Sequence, residues 1–144
     1  MTKQEKLIHR IYNLCYLLTG DTGLAQDLCI KTFINKEIEY QKDEEAFILL
    51  AKKAVKLLME RKCTGFSGNV SSDDHTSELQ KALNNLPPKE RIVIVLHDTY
   101  ALSYFQIEPL FPEEDVRILS KDGRKKLANV LKNDLLERSK MLAR

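Results

Sequence analysis

Leu86-Pro87-Pro88-Lys89-Glu90-Arg91-Ile92-Val93-Ile94-Val95-Leu96, followed closely by Ala101-Leu102-Ser103-Tyr104-Phe105-Gln106-Ile107, decides how this chain folds. Pro87-Pro88 breaks any element before it, and Pro88 suits the first position of a helix, where a missing N–H is no loss. The apolar run from Ile92 to Leu96 continues into a helical context, so it reads as a buried helix rather than a strand. Ser103 and Gln106 have capping-box spacing, in which hydroxyl and amide each satisfy a backbone N–H at a helix start. An apolar helix, a short turn and a second, capped helix are the front half of a helix-turn-helix.

Working outward, nearly every periodic segment repeats at helical spacing. Leu7, Ile11, Leu14, Cys15 and Leu18 make one apolar stripe, widened by Ile8 and Tyr12. Gly20 stops that helix, and Asp21 or Thr22 can cap the next by accepting a backbone N–H. Leu24, Leu28, Phe33, Ile34 and Ile38 predict a second helix to about Tyr40. Asp43 can cap a third, running to roughly Lys62. The segment 63–76, CTGFSGNVSSDDHT, has two glycines, three serines and no apolar period, so it reads as a flexible linker. Ser77 and Gln80 then open a short helix from Glu78 to Asn84, and a last helix is expected from about Pro112 to near Leu142. The fold class expected is therefore all-α. Two small helical modules, 1–62 and 77–144, are joined by the 63–76 linker, the second being a helix-turn-helix.

In a chain of 144 residues, 43% hydrophobic and 31% charged, the composition is that of a soluble globular protein. The longest apolar run, Ala46 to Ala51, is far too short to span a bilayer, so no membrane insertion is expected. No signal peptide opens the chain, and three cysteines, Cys15, Cys29 and Cys63, lack paired or metal-type spacing. Both point to a reducing cytoplasm, with Cys15 and Cys29 packed in the core. Net charge is only +2, but residues 117–144 carry nine Lys or Arg against Asp122, Asp134 and Glu137, a local +6. A basic tail of this kind favours phosphate contacts, although a solvated amphipathic helix would read the same way. Glu113-Glu114-Asp115 precede it and are expected in the first turn of the last helix, where acids complement the helix dipole.

The order of these segments resembles the extracytoplasmic-function sigma factors of bacteria. The matching residues are Leu17-Leu18-Thr19-Gly20-Asp21, Leu24-Ala25-Gln26-Asp27-Leu28 and Lys31-Thr32-Phe33 in the first module. In the second they are Leu86-Pro87-Pro88 with Glu90-Arg91, Ala101-Leu102-Ser103-Tyr104 with Gln106-Ile107, Val116-Arg117, and Arg124-Lys125-Lys126-Leu127. The resemblance covers about residues 7 to 131. It implies a dissociable subunit of core RNA polymerase, monomeric when free, that directs transcription initiation at promoter DNA. By position, Asp27, Lys31 and Thr32 would face the polymerase clamp while Leu28 and Phe33 pack inward.

The third helix would meet the upstream edge of the transcription bubble, with Lys52, Lys53, Lys56, Arg61 and Lys62 holding phosphates. Lys53 and Leu57 stand where the family pattern has Asn and Asp, so promoter melting has the least support. Arg117, Lys121, Arg124 and Lys125 are the residues expected to contact DNA from the last helix. Glu108 replaces the family's small residue after Ile107, Pro112 replaces a glycine, and the turn is about two residues short. An anti-sigma partner is a family trait that no residue here specifies. A sigma-like interaction protein that has lost autonomous promoter reading remains an alternative, as does a dimeric helix-turn-helix regulator. His9, His75 and His97 are scattered, and no phosphate loop or nucleophile–base pairing exists, so neither catalysis nor a cofactor or metal is expected.

Overall fold

A computed structural model describes residues 2–34, 43–60 and 77–142, with backbone alone at the far end of the last segment. Among the described residues every regular element is helical: α1 (Lys3–Thr19), α2 (Thr22–Thr32), α3 (Asp43–Glu60), α4 (Glu78–Asn84), α5 (Pro88–Ile94), α6 (Tyr104–Ile107) and α7 (Val116–Leu142). None is long and apolar enough to cross a membrane. The 63–76 linker, Arg61, Lys62, Ile38 and Tyr40 lie outside the described residues.

The caps form where short-range chemistry places them. Asp21 accepts the Leu24 N–H at 3.1 Å, and Ser77 accepts that of Gln80 at 3.1 Å. Ser103 and Gln106 complete the reciprocal box. Gly20 ends α1 in the left-handed region, φ 69°, with its N–H bonded to the Tyr16 carbonyl. Two boundaries differ from expectation. α2 ends at Thr32, and Ile34, expected on the apolar stripe, is 70% exposed. α7 begins at Val116 rather than Pro112, because Asp115 Oδ1 accepts the N–H groups of Arg117 and Ile118 and so occupies the cap position. Glu113 and Glu114 consequently sit in the turn before the helix, outside its first turn.

α5 does not stop at Ile94 but widens into a π-helical turn, Val95–Thr99. Ala101, which follows it, holds φ 60°, a conformation that a Cβ makes unfavourable. Ala101→Gly is therefore expected to stabilise the chain by a few tenths to about 1 kcal/mol, since relief of strain exceeds glycine's added unfolded-state entropy. A raised urea midpoint with an unchanged m-value would show it.

One hydrophobic core runs through both segments flanking 61–76. Ile11, Leu14, Leu18, Leu28, Phe47, Leu50 and Val55 from α1–α3 join Leu83, Ile92, Leu96, Leu102, Ile107 and Val116. At one contact the Phe47 and Tyr100 rings lie 5.2 Å apart, with the Arg10 guanidinium 3.9 Å from the Phe47 centroid. How the two modules sit together, which the sequence leaves open, is thus by direct packing of α1 on α4 and of α3 on the segment after α6.

A buried polar joint lies within this contact. Arg91, 1% exposed, donates from Nε and Nη2 to the Leu17 carbonyl at 2.9 and 2.7 Å, and from Nη2 to Asn84 Oδ1 at 2.7 Å. Gln80 Nε2 donates to the same Asn84 oxygen at 2.9 Å and to Leu17 O at 3.4 Å. Leu17 is in the last turn of α1, where carbonyls lack helical partners and the dipole favours a cation. Burial pushes the Arg91 pKa down to about 10, so it stays charged at neutral pH.

Cys15 and Cys29 are buried thiols in the core, as their helix faces predict. Burial raises both pKa values, that of Cys15 from 9.0 to about 12. An acid whose folded pKa is raised contributes stability that is present below its unfolded pKa and lost as pH climbs toward the folded value. Between pH 9 and pH 10 the cysteines ionise more readily in the unfolded chain, so stability should fall there. Replacing both with Val should flatten the urea midpoint between pH 8 and pH 10.

Candidate polymerase and nucleic-acid interface

On α2, Asp27 and Lys31 pair one turn apart, with Nζ 3.2 Å from Oδ2, and both side chains are about half exposed (48% and 45%). Thr32 does not join them. It is fully buried and its hydroxyl donates back to the Leu28 carbonyl at 2.7 Å, so it supports the helix end and faces inward. Ile30 (66% exposed) lies beside Asp27 and Lys31 on α2, and Ile34 (70% exposed) follows in the turn after the helix. This surface is a charge pair edged by two apolar side chains, a mixture more suited to a protein partner than to DNA. Sequence reasoning missed Ile30. Its 3-residue offset from Asp27 was the available signal.

On α3, Lys52 and Lys53 are half-buried and Lys56 is exposed. Their spacing puts all three on one side of the helix, against the buried Ala51, Ala54 and Val55. Lys stems lie along apolar surface while the ammonium groups reach water, so the three can meet phosphate without entering the core. Arg61 and Lys62, expected to extend this set, are outside the described residues.

The short α6 is clamped between neighbours. Tyr104 stacks on His97, centroids 4.1 Å apart, and donates its hydroxyl to Ser120 Oγ of α7 at 3.1 Å. His97 Nδ1 is 2.8 Å from the Leu102 carbonyl. Behind α7, Gly123 lets the helix come close to α5, for a Cβ there would fall 2.5 Å from Ile94 Cδ1. Val116, Ser120 and Gly123 therefore face inward, which by helical periodicity turns Ile118, Lys121, Asp122 and Lys125 outward, all exposed.

The four basic residues expected to meet DNA are thus not equivalent. Lys121 and Lys125 project to solvent, and Arg117 lies toward α6 with its guanidinium 5.8 Å from the Tyr104 centroid. Arg124 is held side-on by Asp98, with Nε 2.9 Å from Oδ2 and Nη2 bonded to Oδ1. Those hydrogen bonds raise the already high proton affinity of the guanidinium. Lys126 closes on the buried Glu90 carboxylate at 2.9 and 3.0 Å, tying α7 to α5. Sequence reasoning missed Asp98, Tyr104 and Ser120, because the pairs they make span 16 to 26 residues.

An open groove of about 660 Å³ runs along the turn before α7, lined by Glu108, Pro109, Phe111, Pro112, Glu113, Glu114, Asp115 and Arg117. Lys89 partly offsets its charge through Glu114, at 2.8 Å. The start of α7 is therefore an acidic surface, and the basic surface begins one turn further on. Among the described residues no group of three or more His, Cys, Asp or Glu could hold a metal ion. No protein-family model and no curated protein matches this chain.

Proposed function

We propose that this chain is a divergent extracytoplasmic-function-type sigma factor, which binds bacterial core RNA polymerase and directs promoter-specific transcription initiation. α6, the turn and α7 act as the helix-turn-helix, and the α2 face carrying Asp27, Ile30 and Lys31, with Ile34 in the turn after it, meets the polymerase. The protein works as a cytoplasmic specificity subunit and performs no chemistry of its own, which belongs to polymerase. The observation that carries this reading is the clamp on α7. Tyr104 and Gly123 fix that helix so that Lys121 and Lys125 project away from the core. A helix-turn-helix needs that orientation to lay its second helix in the major groove.

Reconstitution with core RNA polymerase, followed by transcription from a genomic fragment library, tests it. Specific run-off initiation is the expected result. Lys121→Glu together with Lys125→Glu should lower promoter-specific transcripts at least tenfold, by about 1 to 2 kcal/mol from each reversed phosphate contact, while sparing polymerase capture. Asp27→Arg should do the opposite, weakening capture first. Its cost to the fold is small, since a like-charge pair with Lys31 is worth about 0.2–0.5 kcal/mol. Equal and negligible effects would sink the reading. Arg124→Glu is a poorer probe, because it would also set two carboxylates against each other at Asp98.

The acidic groove favours a second reading, a sigma-like interaction protein that has lost autonomous promoter reading. Glu108, Glu113 and Glu114 would oppose the phosphates nearest the start of α7. Polymerase capture without initiation would be its signature.

A further inference from the structure

Asp98 is an acidic residue beside the basic face of α7, and plain electrostatics would make it an obstacle to DNA. Its geometry says otherwise. A guanidinium has five N–H donors arranged along two usable edges. Asp98 takes the edge made by Nε and one Nη2 hydrogen of Arg124. The other edge, Nη1 with the remaining Nη2 hydrogen, points away from the carboxylate. It has room to be used, because the Arg124 side chain remains 51% exposed. Position 124 also lies on the flank of α7 next to the outward Lys121 and Lys125.

Asp98 is itself well placed to hold that edge still. It sits in the π-helical turn that continues α5, and the chain is buried from Glu90 through Leu96, the second residue of that turn. Its carboxylate is therefore mounted on the core, not on a loose loop. A long arginine searching solvent must lose rotamer freedom when it binds, whereas one already held side-on loses little. We infer that Asp98 is a positioning residue for DNA, which presents the free edge of Arg124 to a backbone phosphate oxygen pair. This rests on the promoter-binding reading above.

The inference has a sign that opposes simple charge counting. Removing a negative charge from a DNA-facing surface should tighten binding, yet Asp98→Asn is expected to weaken it about three- to tenfold, the range for freeing one rotamer-rich side chain. The test uses the full chain with core RNA polymerase and a labelled duplex that this complex recovers from a random-sequence library. Affinity is followed by fluorescence anisotropy over a salt series. Asp98→Asn should leave the slope of log K against log salt unchanged, because the phosphate contact still forms. Arg124→Ala should reduce that slope by about 1, the loss of one phosphate contact. The double variant should match Arg124→Ala alone, since Asp98 acts only through that side chain.

Asp98→Asn binding as tightly as the parent, or tighter, would overturn the inference, as would additive losses in the double variant. Melting of the free Asp98→Asn chain checks for a fold effect, and Asp98→Glu, which keeps the carboxylate, should recover part of the affinity. If the complex recovers no duplex, promoter binding itself fails and this inference with it. A recovered duplex that is indifferent to Asp98→Asn removes the inference alone.

Discussion

Arg91→Met should lower the free energy of unfolding by about 2 to 5 kcal/mol, because it removes three hydrogen bonds made by a buried charged group. Met fills much of the same volume, so the effect isolates the polar joint rather than a cavity. The Leu17 carbonyl would lose both guanidinium bonds and keep only the 3.4 Å contact from Gln80, while Asn84 Oδ1 would keep one donor. Hydrogen bonds to a charged group contribute about 1.5–3 kcal/mol, and an under-satisfied buried acceptor adds about 1–3 kcal/mol. Against a whole-domain stability of about 5–15 kcal/mol, the variant should unfold at a much lower urea concentration. A midpoint within error of the parent would show that the joint is incidental to packing.

Gly20→Ala should come next, at about 2 to 4 kcal/mol, from two sources acting together. A residue with a Cβ loses about 1–2 kcal/mol in the left-handed region that Gly20 occupies. The added Cβ would also fall 2.3 Å from Asn84 Oδ1, so Asn84 must move off the oxygen that Arg91 and Gln80 share. Thermal melting and urea titration should agree on the loss. Because both variants damage the same network, Gly20→Ala in an Arg91→Met chain should cost about 1 kcal/mol less than it does alone. Full additivity would mean that Gly20 matters only for its backbone angle.

The contrast between what could and could not be read from the residues follows from range. Asp21, Ser77 and Ser103 reach N–H groups three residues away, so their caps are visible in the sequence itself. The all-helical class is legible for the same reason, since the apolar stripes are local. The start of α7 is harder. Pro112 suggests a helix start, but the cap is made three residues later, where Asp115 accepts the Arg117 and Ile118 N–H groups.

Thr32 looks like a surface residue by composition, yet its hydroxyl can satisfy the carbonyl one turn back, which lets it turn inward. The joint at Arg91 joins residues 74 apart and the Asp98–Arg124 pair joins residues 26 apart. No periodicity carries that information. A candidate DNA face could therefore be named from its charges, while the distinction between projecting Lys121 and tethered Arg124 needed three dimensions.

The joint at the end of α1 also bears on how chains of this kind can change over generations. Lengthening the stretch between α3 and α4 alters closure entropy only logarithmically, so insertions and deletions there are cheap to tolerate. Gly20, Gln80, Asn84 and Arg91 have no such freedom, because the last three share hydrogen bonds and a Cβ at position 20 would displace Asn84. A larger residue at 20 requires a smaller one at 84, and losing the guanidinium at 91 requires a new donor for Leu17. Descendants should let the connecting stretch drift while these four positions shift together or not at all.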